Sequence, residues 1–302
     1  MTIKDAQEAP ANPFQQLITA CKNDPKHRTD RNAQIKQRLL NPAFREWQFD
    51  EILHNVLKAE KGLVEYIDPR HNLGFWTRPP HHIRELVSDI QREISAVAGS
   101  CLWFMPAENL HMTTLEMVSG KKQPDVDEVT AFLQANAPLQ ELVNYTLTHR
   151  ARLGRPVVSY DASALALSFL PVFEDAGKMN EAVNDSYSYH HLRRDLYDRV
   201  TQSGCQIGAR YCVPSAHITI ARLVIPVGST HEEELAALEG NVVKLVERLE
   251  DINQELRSND WKRFGHPSRG EWTVGQEQGL ELNKGVAWYG TGEKVLIGQG
   301  FP

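Results

Sequence analysis

Nowhere does the chain carry an apolar run long enough to cross a membrane, and its polar start, Met1-Thr2-Ile3-Lys4-Asp5, lacks the basic-then-apolar layout of a secretion signal. Both absences point to the cytosol or the nucleus and to no membrane partner. Cysteine is scarce: Cys21, Cys101, Cys205 and Cys212 form no C-x-x-C pair, which argues against a zinc knuckle or a thioredoxin-like centre and leaves them as small buried hydrophobes. Positive charge is not in excess either, since 33 Lys and Arg face 39 Asp and Glu for a formal net charge of −6. Broad clamping of duplex DNA, which requires basic surface to displace counterions from many phosphates, is thereby disfavoured. Gly290-Thr291-Gly292-Glu293-Lys294 lacks the spacing of a phosphate-binding loop and reads as a hairpin turn before a strand.

What is present is a pair of short strings, His111-Met112-Thr113 and His217-Ile218-Thr219, set 106 residues apart in strand-forming sequence. Residues i and i+2 of a strand face the same way, so each string presents an imidazole and a hydroxyl side by side. In-line displacement at a phosphate diester needs a base for the nucleophile, an acid for the leaving oxygen and donors for the equatorial oxygens. Two histidines and two threonines supply this set without a metal, because an imidazole with a reference pKa of ~6.5 serves as acid or base near neutrality. Which histidine takes which role is left open by the motifs.

The surroundings of the strings also repeat. His81-His82-Ile83-Arg84 and His190-His191-Leu192-Arg193 each open a helical run, 30 and 27 residues before their motif histidines, and a duplicated supersecondary unit is the simplest account. Residues 1–12 read as a loose tail. From Pro13 to about Leu63 the pattern is helical, with Phe44, Trp47, Ile52, Val56 and Leu57 on one face of an amphipathic helix. Helices are predicted over Val126–Val143 and Glu232–Leu256, and strands over Ser163–Phe169, Leu280–Leu282, Gly285–Tyr289 and Lys294–Ile297. Strands and helices mix without regular alternation, which favours an α+β body. The expected division is an N-terminal tail and helical extension, 1–72, followed by a body, 73–302, with halves of roughly 73–160 and 161–302.

Several further residues have both a functional and a bland reading. Strict alternation from His217 places Arg222 on the opposite strand face, where a phosphate contact and a surface ion pair are equally expected. His81, His82, His190 and His191 read as surface residues at helix starts rather than metal ligands, because neighbours on a helix diverge and no carboxylate recurs at ligand spacing. Among Phe75, Trp76, Trp103, Phe104 and Tyr211, most are expected in the core. Trp76 and Tyr211 are the better candidates to stack on a nucleobase, since Arg78 and Arg210 lie beside them.

At His111-Met112-Thr113-Thr114 and His217-Ile218-Thr219-Ile220-Ala221-Arg222, the chain resembles the two-histidine (2H) phosphoesterase superfamily, which includes the LigT-like RNA 2′,3′-cyclic phosphodiesterases. The likeness runs from about Leu73 to Pro302, and the first string continues Leu115-Glu116 where an arginine is often found at the end of the second. The resemblance implies a duplicated bilobal fold of two antiparallel sheets with outer helices, in which His111 and His217 face each other across a central cleft. It also implies no cofactor, a small nucleotide or RNA end as substrate, and a metal-independent opening of 2′,3′-cyclic phosphates to 2′-phosphates. A monomer is expected. Related activities on ADP-ribose cyclic phosphate, as a 3′ RNA exonuclease or as a 2′-5′ ligase share the same motif residues. A nucleotide-binding module without activity would usually have lost one of the four motif residues, and a metal-dependent hydrolase would need a third ligand.

Overall fold

A computed structural model describes residues 12–20, 25–172, 187–208, 212 and 215–301. The expected tail and Cys21 lie almost wholly outside them, as do Tyr211 and Arg210. The chain opens with three helices, α1 (Pro13–Ala20), α2 (Pro25–Leu39) and α3 (Glu51–Glu60), followed by β1 (His71–Thr77), α4 (His81–Ala98), β2 (Leu102–Phe104) and β3 (Met112–Lys121). Next come α5 (Gln123–Asn136), α6 (Leu139–Val143), β4 (Arg152–Tyr160), β5 (Ala164–Pro171), α7 (Tyr189–Gln202) and β6 (Ala216–Leu223). The chain ends with α8 (His231–Arg257), β7 (Trp272–Thr273), β8 (Gln278–Gly285) and β9 (Glu293–Gln299).

The strands form two antiparallel sheets, one in the order β3-β1-β8-β9 and the other β2-β6-β5-β4-β7, so the fold is α+β. Each motif heads a different sheet. Neither sheet is a contiguous half of the chain: the first joins strands from both ends, and a division at 160/161 falls between β4 and β5, which pair directly. The helices that precede the motifs cross over. Helix α4 packs on β2 and β6, whereas α7 packs on β3.

One continuous core joins both sheets, and it also takes in Phe14, Leu39 and Phe44 from the N-terminal segment. Asn12 ties α1 to α7 by donating to the Arg194 carbonyl at 3.0 Å and to Asp198 at 2.7 Å. The segment is therefore packed into the body. Phe44 and Trp47 are not helical as expected: residues 41–50 are an irregular connection, and α3 begins only after the Asp50 cap accepts from the Leu53 amide. The run expected over Val126–Val143 is split at Ala137-Pro138, since proline forces the residue before it into extended backbone. Of the strand expected over Gly285–Tyr289, only Gly285 is extended, as the last residue of β8, and 286–289 form the loop that follows. His190 is buried in the fold at 4% exposure, not on the surface, because α7 lays its first turn against β3.

Candidate functional site

Both motif strands carry a β-bulge at the same place. On β3, Leu115 pairs with Phe75 and Thr113 with Trp76, leaving Thr114 as the extra residue. On β6, Ala221 pairs with Leu165 and Thr219 with Ala166, leaving Ile220 extra. An inserted residue shifts the alternation by one, so the side chain three positions after the threonine returns to the threonine's face. Burial follows this pattern in both copies: His111, Thr113 and Glu116 are half-buried between buried neighbours, as are His217, Thr219 and Arg222. The placement of Arg222 on the opposite face is thus corrected.

The bulged residues are fixed from beneath in matching ways. Arg193 of α7 donates to the Thr114 carbonyl at 3.0 Å, and Gln91 of α4 donates to the Ile220 carbonyl at 2.9 Å. A bulge breaks the regular ladder; Arg193 supplies a donor to the Thr114 carbonyl, and Gln91 adds a second donor to the Ile220 carbonyl, which also accepts from the Met105 amide at 3.0 Å. Tyr189 adds a bond to the Thr113 carbonyl at 2.8 Å. Each helix serves the other half's strand, which explains the crossed packing.

A cavity of about 110 Å³ is lined by His111, Thr113 and Glu116 from the first motif and by Thr219 and Arg222 from the second. Asn72 and Trp76 of β1, Asn283 of β8 and Trp288 of the following loop complete its polar and aromatic wall. His217 lies two residues before Thr219 on the same strand face, and it is not among the residues lining this cavity.

Both histidines are held alike. Nδ1 of His111 meets the Asn109 carbonyl at 2.9 Å, and Nδ1 of His217 meets the Ser215 carbonyl at 3.4 Å and the Ser215 hydroxyl at 3.1 Å. A carbonyl only accepts, so Nδ1 of His111 carries the proton and its Nε2 keeps the lone pair in the neutral ring, whereas at His217 the nearer partner is a hydroxyl that can donate or accept. Desolvation pulls the pKa of His111 down to about 4, with Arg78 and Arg222 adding to the fall while the Asn109 carbonyl and Glu281 oppose it. Desolvation also lowers His217, helped by Arg193 and Arg31. The electrostatic partners cross between halves: His111 feels the cation of the second motif, and His217 feels the arginine that supports the first.

Trp76, expected as a base platform, stacks on His111 with ring centroids 3.9 Å apart and planes at 19°, and only 4% of it is exposed. Register explains this, because Trp76 is the cross-strand partner of Thr113 and reaches His111 diagonally. Its neighbour Arg78 is committed to Glu281, donating from Nε at 3.0 Å and from Nη2 at 2.8 Å. Desolvation of Glu281, which alone would raise its pKa, is outweighed by that arginine, and its pKa is lowered. Phe75 is in the core, and Trp103 packs edge-on against Tyr289 at 5.8 Å.

Several site residues carry no sequence signal. Asp50, from the N-terminal segment, lies 3.5 Å from Arg222 and accepts from the Tyr289 hydroxyl at 2.9 Å. Trp288 lines the cavity with the Arg70 guanidinium 4.7 Å from its ring centroid. Among the described residues, no group of three or more His, Cys, Asp or Glu side chains is placed to hold a metal ion, and no helix is long and apolar enough to cross a membrane.

No protein-family model matches the chain, and no curated protein matches it. Among solved structures, the crystal structure of TT0787 of Thermus thermophilus is similar at 17% identity and a TM-score of 0.32, over 53% of this chain and 78% of that one. A likeness at that level assigns neither fold nor activity, so the functional reading rests on the duplicated motif and its geometry.

Proposed function

We propose that the chain is a two-histidine phosphoesterase that opens 2′,3′-cyclic phosphates of nucleotides or RNA ends. The observation that carries this reading is the repetition of His-x-Thr on two bulged strands, with each imidazole held through Nδ1 by the carbonyl two residues earlier. Two independent strands sharing motif, bulge and ring orientation are not expected from incidental histidines. Thr113, Thr219 and Arg222 line one cavity and supply hydroxyl and guanidinium donors to the non-bridging oxygens, where negative charge builds in the transition state.

In the reaction, one neutral imidazole takes a proton from water through Nε2 as the water oxygen bonds to phosphorus. The other, protonated at Nε2, gives its proton to the ribose oxygen as the P–O bond breaks. Loss of O3′ leaves a 2′-phosphate. The first ring ends as imidazolium and the second neutral, and exchange with solvent resets both. Low local dielectric strengthens the donor contacts, and the Nδ1 anchors hold the rings so that little reorganisation accompanies proton transfer.

The test offers the purified protein four nucleoside 2′,3′-cyclic monophosphates, ADP-ribose cyclic phosphate and a cyclic-ended oligonucleotide, with EDTA present. Turnover is expected to persist in chelator, and His111→Ala and His217→Ala are each expected to lower kcat by at least ~10²-fold with the fold retained. Full activity in either variant would remove that histidine from the mechanism, and inactivity on every cyclic phosphate would overturn the reading.

A further inference from the structure

Arg222 reaches the cavity on a long side chain, and the groups that hold it come from outside both motifs. Its Nη1 lies 3.5 Å from Oδ2 of Asp50, the cap of α3. Asp50 is itself pinned to the end of β6. Its amide donates to the carbonyl of Leu223, the residue after Arg222, at 2.8 Å, and His54 of α3 meets the Ile225 carbonyl through Nδ1 at 2.6 Å. Leu53 packs with Val224 and Tyr289 in the same corner.

The other carboxylate oxygen of Asp50 is held twice, by the Leu53 amide and by the Tyr289 hydroxyl, each at 2.9 Å. The Tyr289 oxygen in turn accepts from Nη2 of Arg70 at 3.1 Å. Arg70 is fixed by the buried Asp68, donating to it from Nε at 2.9 Å and from Nη2 at 2.6 Å. Burial, and after it the charge of Asp50, pushes the Tyr289 phenol up in pKa against the pull of Arg70, so the hydroxyl keeps its proton and donates. A continuous series of polar contacts thus runs from Asp68 through Arg70, Tyr289 and Asp50 to Arg222 at the cavity wall.

A carboxylate beside a phosphate-binding arginine either competes with the phosphate or orients the guanidinium. Two features favour orientation. The closest approach of Asp50, at Nη1, is longer than an ordinary charged hydrogen bond and leaves donors of the five-donor fork for an anion. The negative charge of Asp50 is also shared with two donors at its other oxygen. A guanidinium held this way loses its rotamer freedom on folding, before substrate arrives, and binding is spared that cost.

We propose that Asp50 and Tyr289 are positioning residues of the phosphate site, holding the Arg222 guanidinium at the cavity so that the N-terminal segment completes the anion-binding wall begun by the two motifs. This assignment rests on Arg222 binding the substrate phosphate, as in the reaction proposed above.

Two variants test it in the full chain. Asp50→Asn keeps a favourable helix cap and the side-chain shape but removes the charge, and Tyr289→Phe removes one hydroxyl. On a nucleoside 2′,3′-cyclic phosphate, each is expected to raise KM about 5–10-fold while kcat falls less than ~3-fold, because a loosened Arg222 weakens phosphate binding more than it alters the proton transfers at the histidines. In an Arg222→Ala background, Asp50→Asn is expected to change KM less than ~2-fold, whereas a merely structural role would add its whole effect again. Thermal melting verifies folding. An unchanged KM in both variants, a KM lowered by Asp50→Asn, or an undiminished effect in the Arg222→Ala background would overturn the positioning even if every cyclic phosphate is hydrolysed. Calorimetric titration with adenosine 2′-monophosphate keeps the two readings apart. Affinity weakened by both variants, in a protein that hydrolyses no cyclic phosphate, would support the positioning and sink the reaction instead.

Discussion

At the scale of single residues, the unusual feature is that both imidazoles are desolvated and have lowered pKa values before any substrate arrives. A base acts above its pKa and an acid below its own, so lowering both moves the active window downward. The kcat/KM profile of the free protein is therefore expected to peak on the acid side of the ~6.5 of an ordinary imidazole. A pH-rate profile with its optimum above pH 7 would contradict this. The same shift affects stability. Below ~6.5 the unfolded chain binds a proton that folded His111 resists until about 4, so stability present above ~6.5 is lost as pH falls through that window. Thermal melting is expected to decline more steeply between those values in the wild type than in His111→Gln. Trp76, stacked on His111, is expected to cost about 3 kcal/mol when cut to alanine and to lower activity with it, measured by denaturant unfolding and kcat. Arg222 bears its guanidinium fork between Asp50 and the cavity, and Arg222→Lys is expected to raise KM by roughly 10-fold because an ammonium cannot reproduce the planar fork.

Among the elements, the bulges decide what the cleft contains. Removing one would return Arg222 or Glu116 to the far face, and each bulge is held by a helix from the opposite half through Gln91 or Arg193. Gln91→Leu removes the donor shared by the Met105 and Ile220 carbonyls, of which Ile220 keeps the Met105 amide, and is expected to destabilise by about 1 kcal/mol while raising KM more than it lowers kcat. The loop between β8 and β9 also supports the first histidine. Gly290 has φ of 78°, and a Cβ there would collide with the backbone carbonyl of Asn109, the acceptor that orients His111. Gly290→Ala is expected to lower kcat at least ~10-fold by displacing that carbonyl, a loss that kinetics on a folded variant would reveal.

At the scale of the whole molecule, the N-terminal segment packs into the same core as the two sheets. Phe14, Leu39 and Phe44 enter the main core, Leu53 packs with Val224 and Tyr289, Arg31 contributes to the field at His217, and Asp50 meets Arg222. A chain beginning at residue 61 is expected to lose cooperative unfolding, since its removal exposes core side chains each worth about 1.5–3 kcal/mol of burial. A sharp, wild-type-like calorimetric transition in that truncation would show the segment to be dispensable.

Period-two patterning was enough to identify the motif strands, because the sequence His-x-Thr places its two polar groups on one face whatever surrounds it. The α+β class, the long helix now seen at His231–Arg257 and the helix-strand repeat followed from periodicity in the same way. What periodicity could not show was any position after a bulge. A bulge depends on the partner strand's register and on a helix donor distant in sequence, so Arg222 came to the cleft against strict alternation. Likewise Trp76 faced a histidine rather than solvent, and Asp50, Asn283 and Trp288 reached the cavity from segments with no motif of their own. Local sequence set which face a side chain takes along an unbroken strand; long-range pairing and packing set which faces meet, because contacts between distant segments are fixed only once the chain has folded around a shared core.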